Sequence, residues 1–163
     1  MNTQQAINTT MNLSSAVVGR YLEDFSDAEL MERPGPGCNH IAWQLGHLIA
    51  SEVQLLQAIA PQAQVELPEG FAEKHSKDQI GNDNPADFYS KQQYLDLFEK
   101  VNSVTRDEFA KISDADLDQP APEGLRSMFP TVGDVVILIA THGLMHAGQF
   151  VPVRRRLGKP VAI

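Results

Sequence analysis

The chain has 163 residues, of which 42% are hydrophobic and 21% are charged, and this composition is typical of a soluble globular protein. A formal net charge of −8 repels phosphate backbones, so we expect no nucleic acid partner. We expect one domain over residues 1–163 and no membrane partner, because the longest apolar run is too short to cross a bilayer. The N-terminus lacks the pattern of a signal peptide, and the single Cys38 cannot form an internal disulfide, so we expect a cytoplasmic location.

Helical spacing of apolar residues begins at the N-terminus and predicts a first helix over about residues 3–24. Ser26 and Glu29 form the pattern of a capping box for a short turn, which "RPGPG" ends. Asn39 is the predicted cap of a second helix that runs to about residue 60. This helix carries apolar residues on several sides, so we expect it to be covered on more than one face.

A polar segment over residues 61–84 follows and predicts a long functional or mobile connection. Asn84 with Pro85 predicts a first turn, and a capping box at Ser90 and Gln93 then opens a third helix that runs to about residue 112. The stretch "ISDADLDQPAP" resembles "FSDAELMERP" after the first helix, which predicts a second capped turn there.

Thr131 and Asp134 predict the start of the fourth helix, in which Pro152 would form a kink or a break. The arginines at 154–156 are expected at its solvated end, with a phosphate-binding role as the less favoured alternative. Four long helices predict an all-α, antiparallel four-helix bundle with a long connection between helices 2 and 3.

Two histidines lie four residues apart in "THGLMHAGQF" within the fourth helix. On a helix His142 and His146 share one face, with β-carbons about 6 Å apart, so both rings can reach one metal ion. They continue the apolar stripe of Val135 and Ile139 and therefore point toward the core. Because pairs with this spacing are frequent, two buried histidines with hydrogen-bonded nitrogens remain the alternative.

A catalytic metal site needs a third protein ligand, and three other histidines are available. His75 lies in a polar loop and is expected to be solvated. His40 and His47 lie about 10.5 Å apart along the second helix, so they cannot both reach one ion. His47 follows Gly46, which permits another helix to approach closely, and it is the best candidate although it points roughly 120° from the main apolar stripe.

The stretches "NHIAWQLGHLIASE", "THGLMHAGQF" and "RRRLGKP" together resemble the DinB-like (DNA-damage-inducible) four-helix bundle metalloproteins. This family includes bacterial thiol-dependent S-transferases and a mycothiol-dependent maleylpyruvate isomerase. The resemblance implies that His47, His142 and His146 bind a divalent metal. It also implies a homodimer.

Three neutral ligands would leave a divalent ion its full charge, which lowers the pKa of a coordinated water or thiol. We therefore expect a metal-dependent thiol S-transferase-type enzyme, or a hydrolase, that acts on small electrophiles with a low-molecular-weight thiol. Zinc is the expected metal, with nickel, iron or cobalt as alternatives. A non-catalytic metal-binding stress-response or sensor protein is the other interpretation, and a bundle whose histidines only pack is the third.

Four further residues attract attention near these histidines. Gln149 shares the histidine face and could orient a ligand or substrate, or simply pack, and Trp43 could wall the pocket or belong to the core. Glu52 lies on the apolar stripe of the second helix, where it either contacts the site or pairs with an arginine. Cys38 precedes a helix N-terminus, which favours a thiolate, although an exposed residue without a role is the simpler interpretation.

Overall fold

The computed structural model describes residues 1–163 and is all helical apart from one isolated bridge between Pro120 and Thr131. Four long helices form it, namely α1 (Thr3–Leu22), α2 (Ile41–Ile59), α4 (Lys91–Phe109) and α6 (Val132–Arg156). Two one-turn helices, α3 (Phe71–Lys74) and α5 (Asp114–Leu117), lie in the connections. The predicted all-α four-helix bundle is confirmed.

The four long helices enclose one core, and each contacts two neighbours: α1 and α2 each contact both α4 and α6. Tyr21 of α1 meets Arg154 of α6, and Ser14 meets Gly143, so these two helices run parallel. Contacts of residue 40 with 88 and of residue 52 with 102 show that α2 and α4 are also parallel. The pairs α1–α4 and α2–α6 are antiparallel.

This topology gives a physical reason for the long connection between α2 and α4. Two parallel neighbours can be joined only if the chain travels back along the bundle, which for the 19 residues of α2 is about 28 Å. Residues 60–90 make this return. Although this segment is rich in polar residues, some of its apolar side chains are buried. Ala63, Val65 and Phe71 are buried against the core, so the connection is part of the folded body.

The capped starts of the helices follow the sequence closely. Reciprocal hydrogen bonds join Ser90 with Gln93, Ser113 with Asp116 and Thr131 with Asp134, as predicted. Ser26 and Glu29 make the same pair before a short 3₁₀ turn, and the Asn84 side chain accepts from the Ala86 N–H at the turn before α4. Local side chain–backbone bonds need no tertiary partner, so these starts are legible from sequence.

The start of α2 differs from the prediction. Asn39 is not the cap; the ring of His40 takes this role, because its Nδ1 accepts a hydrogen bond of 3.0 Å from the Trp43 N–H. Its Nε2 therefore carries the proton and donates to the Asn82 carbonyl at 3.0 Å. Buried residues occur around most of α2, which confirms that it is covered on more than one face.

The end of α6 departs from two predictions. Pro152 does not break the helix, which continues to Arg156, since the carbonyl that loses its N–H partner belongs to Gly148 on the exposed side; the kink stays a prediction. Arg154 is buried rather than solvated, and it donates to the Tyr21 carbonyl at 2.7 Å and to Asp24 at 2.6 Å. The hydrogen bond from Arg154 lowers the pKa of Asp24. This arginine therefore fastens α6 to α1.

Helix α6 is long and apolar enough to cross a membrane by length and composition alone. In this fold it packs against both α1 and α2, and 44% of its most apolar window is buried inside the protein. A central helix of a bundle has these same properties, so the pattern is accounted for by the core.

Candidate metal centre

Three histidine rings from two antiparallel helices meet inside the bundle. His47 on α2 and the pair His142 and His146 on α6 each offer a ring nitrogen, and these nitrogens all lie within 4.8 Å of one another. The ring centroids of His47 are 5.5 Å from each of the other two, and His142 and His146 are 4.8 Å apart. The structure therefore brings together the three residues that the family resemblance implies.

The amide of Gln44 fixes the orientation of the His146 ring. Its Nε2 donates to the Asn39 carbonyl at 2.7 Å, so its Oε1 must be the atom that lies 2.9 Å from His146 Nδ1. His146 Nδ1 therefore carries the proton, and the lone pair of Nε2 points into the cluster, 3.2 Å from His142 Nε2. A hydrogen bond to the far nitrogen is the usual way in which a protein orients a metal-binding histidine.

Sequence reasoning did not find Gln44. The available signal was its position three residues before His47, which on a helix places both side chains on neighbouring parts of one face. Nothing in a single sequence says that this amide meets a residue 102 positions away.

Trp43 packs directly on His47, with the ring centroids 5.0 Å apart and the planes within 7° of parallel. Its indole N–H donates to the Ser76 carbonyl at 3.2 Å. A hydrogen bond from the long connection therefore fixes the indole ring that stacks on His47. The Ser51 hydroxyl lies 3.4 Å from both nitrogens of His47, which is a long contact for a hydrogen bond. His47 is thus fixed mainly by stacking and keeps its nitrogens available.

Burial keeps all three rings neutral at pH 7. It lowers the pKa of His142 to about 4 and that of His146 to about 3, with the neighbouring histidines as the second cause. Burial also lowers the pKa of His47, followed by the charge of Lys77. Neutral imidazole is the form that binds zinc, nickel, cobalt or iron. The donor set and the lone pair set by Gln44 therefore fit a divalent ion.

Gln149 does not take part in this arrangement. Its side chain is exposed and makes no hydrogen bond, while Phe150 occupies the buried position at this level of α6. Of the two interpretations of Gln149, packing does not agree with its exposed side chain, and the orienting role stays a prediction that no contact supports. The polar partner of the cluster comes from α2 instead.

His75 is buried, so its predicted solvation is wrong. Its Nδ1 donates to the Phe71 carbonyl and its Nε2 accepts from the Tyr94 hydroxyl, both at 2.7 Å. The close approach predicted at Gly46 is made by this ring and not by another helix: a Cβ on Gly46 would lie 2.0 Å from His75 Cδ2. His75 therefore seats the long connection on α2.

Glu52 is also buried but belongs neither to the histidine cluster nor to an arginine pair. Its carboxylate accepts from the Thr105 hydroxyl at 2.7 Å and from the Asn102 amide at 3.1 Å. Burial raises the pKa of Glu52 to about 7. Glu52 and His142 both line a cavity of about 10 Å³, which has room for about one water. Cys38 is half-buried, at the turn before α2.

Comparison with known proteins places this geometry in context. YfiT from Bacillus subtilis, described as a probable metal-dependent hydrolase with an unusual four-helix bundle topology, is similar in fold, with a TM-score of 0.65 and 14% identity over 98% of this chain and 91% of that one. A conserved protein of Enterococcus faecalis is similar with a TM-score of 0.67 and 17% identity, over 98% and 99% of the two chains. No curated protein matches the chain.

At these identities the two structures establish the likeness of the fold alone. The sequence profile of the DinB superfamily matches residues 14–150, which include all three clustered histidines, the whole of α2 and α4 and most of α6. This chain belongs to the DinB superfamily.

Proposed function

We propose that this protein is a divalent-metal-dependent enzyme that joins a low-molecular-weight thiol to a small electrophile. The observation that carries the proposal is the meeting of three neutral imidazoles, with His146 Nε2 left as a free lone pair by the hydrogen bond of Nδ1 to Gln44. Zinc is the expected ion. Three protein ligands are the number found in catalytic zinc sites, where a further position stays open for a small molecule.

The residues of the chain have separable parts in this chemistry. His47, His142 and His146 would hold the ion, Gln44 orients His146, and Trp43 keeps His47 in place. A bound divalent ion acts as a Lewis acid and lowers the pKa of a coordinating thiol or water. In the transfer the thiol loses its proton, the sulfur bonds to the electrophilic carbon, and the leaving group departs with the proton.

Hydrolysis is the second candidate, and the similarity to YfiT favours it. Water would then take the place of the thiol as the nucleophile, and the same three histidines would serve. The two reactions differ only in the nucleophile, so turnover measured with and without an added thiol distinguishes them.

The first test is metal content after purification without a chelator or a histidine tag. We expect about one divalent ion per chain in the wild type and its loss in a His146→Ala variant. Gln149→Ala is the matched control, since this exposed residue lies on the same helix and its side chain makes no hydrogen bond. Metal-free wild-type protein under metal-replete conditions would overturn the site.

The second test supplies thiols and electrophiles to the metal-loaded protein. Turnover that requires a thiol supports the transferase, and thiol-independent cleavage of an ester or amide supports the hydrolase. A stoichiometric ion without either reaction would favour the non-catalytic stress-response or sensor protein. The homodimer stays a prediction, to be checked by light scattering.

A further inference from the structure

A cleft of about 490 Å³ opens beside the histidine cluster. One face of α2, which includes His47, forms one wall, and residues of the returning connection between positions 67 and 77 form the other. The volume lies in the range of small-molecule sites, which is about 300–1,000 Å³. A molecule that reacts at the cluster could therefore extend into this cleft.

Three exposed polar side chains that line the cleft, those of Gln54, Gln57 and Lys77, have no hydrogen-bond partner inside the protein. Ser51, Gln54 and Gln57 follow His47 on α2 at helical spacing and face the cleft. The side-chain amides of the two glutamines and the ammonium group of Lys77 take part in no hydrogen bond or ion pair. Short apolar surfaces at Ala50 and Leu67 lie between them. Unpaired amides beside apolar surface are suited to a ligand that itself carries amide groups.

The charge of the cleft is opposite to that of the whole protein. The chain has 21 acidic and 13 basic residues, yet no Asp or Glu lines the cleft, and Lys77 is its one cation. Lys77 and His47 line the same cleft, so the ammonium group and the candidate metal centre face one space.

We infer that this cleft binds the anionic, amide-bearing part of the thiol substrate, with a carboxylate on Lys77 and amide groups on Gln54 and Gln57. The inference rests on the proposed function, because the cleft is a substrate site only if His47 belongs to the reactive centre. It narrows the substrate class to peptide-like thiols that carry a carboxylate and excludes small neutral or cationic thiols as preferred substrates.

The test uses S-methylglutathione, which has two carboxylates and two amides but a blocked sulfur. Binding is followed by the fluorescence of Trp43, the only tryptophan in the chain, which bonds to Ser76 at the cleft wall. Lys77→Gln should weaken binding by about three- to tenfold, the usual worth of one charged hydrogen bond near the surface. The dimethyl ester of the probe should bind more weakly than the parent compound, and added salt should weaken binding.

Lys74→Gln is the matched control, because it removes the same charge at a position three residues before Lys77. The ammonium group of Lys74 lies over the Tyr89 ring, and Lys74 does not line the cleft. This substitution should change affinity by less than about twofold. Equal effects of the two substitutions, equal binding of the ester, or no binding at millimolar concentration would overturn the inference.

A His146→Ala variant separates this inference from the proposed function. The substitution removes a metal ligand but no part of the cleft lining, so S-methylglutathione should still bind with wild-type affinity. Retained binding in a protein without thiol-dependent turnover would leave the anionic cleft standing while the transferase fails. Conversely, thiol-dependent turnover that Lys77→Gln leaves unchanged would support the transferase and overturn the proposed role of the cleft.

Discussion

The five histidines fall into two groups that differ in how their ring nitrogens are satisfied. In His40 and His75 both nitrogens have a partner in the protein, a backbone group at three positions and the Tyr94 hydroxyl at the fourth. In His47, His142 and His146 the nitrogens face one another, and only His146 Nδ1 has a short bond to a side chain outside the group. The difference indicates that the first group builds the fold and that the second is free to bind an ion.

The largest expected effect is that substitutions in the two groups change different properties: stability in the first group and metal binding in the second. His75→Ala removes a buried ring, and it leaves the Phe71 carbonyl without its imidazole donor and the Tyr94 hydroxyl proton without its acceptor, which should lower the free energy of unfolding by about 3 kcal/mol. Metal stoichiometry should stay unchanged. Chemical denaturation and metal analysis of the purified variant measure the two quantities.

His142→Ala is the reciprocal variant. It should abolish stoichiometric metal binding and change the unfolding free energy of the metal-free protein by about 1 kcal/mol or less, because this half-buried ring bonds only to His146. If both variants lost metal and stability together, the division between fold-building and ion-binding histidines would be wrong.

The unfolding free energy should fall at acid pH because buried His75 must stay neutral in the folded protein. Burial lowers the pKa of His75 to about 4, whereas the unfolded chain protonates it near about 6.5. Its stabilising contribution is therefore complete above pH 6.5 and is lost as pH falls toward 4, by about 2 kcal/mol at pH 5. Urea denaturation of metal-free protein at pH 7.5 and pH 5 measures the loss, and in His75→Ala this share should be absent.

The orientation of His146 can be tested through Gln44→Leu. Without the acceptor at Nδ1 the ring can adopt the other tautomer, and metal affinity should fall by about 10- to 100-fold in chelator competition. Gln54→Leu on the same helix, which makes no hydrogen bond to a histidine, is the control. Equal affinities of the two variants would show that Gln44 does not orient the ligand.

The smallest expected effect concerns Trp43, which links the two groups. Trp43→Phe keeps a ring that can stack on His47 but leaves the Ser76 carbonyl without its donor, so the unfolding free energy should fall by about 1 kcal/mol. Metal affinity should change by less than tenfold. A larger loss of affinity would mean that the long connection controls the ligand geometry directly.

Local features of this protein could be predicted from sequence, and long-range pairings could not. The capping boxes at Ser90, Ser113 and Thr131 were legible because each uses residues three apart. The burial of Arg154 depends on Asp24, which is 130 residues away. The polar sequence around His75 predicts exposure, whereas its ring packs against α2 at Gly46. Composition reports the average exposure of a segment but not the fate of one side chain within it.

The candidate site shows the same limit. The four-residue spacing of His142 and His146 placed them on one face, and the family resemblance singled out His47. The structure shows that these rings meet, while metal binding itself stays a prediction. Gln44 was missed because residue spacing indicates only which side of a helix a side chain lies on, whereas a hydrogen bond requires a defined distance and direction to a partner that is distant in sequence.

Gly46 gives the long return segment a dependence on a single methyl group. Because the imidazole of His75 occupies the space where a β-carbon would lie, alanine at this position would push the ring away and loosen residues 71–77 from the helix. The cleft that His47 and His75 both line would then change shape, although none of the three clustered histidines is substituted. The shape of this cleft thus depends on a residue that is not one of its lining residues.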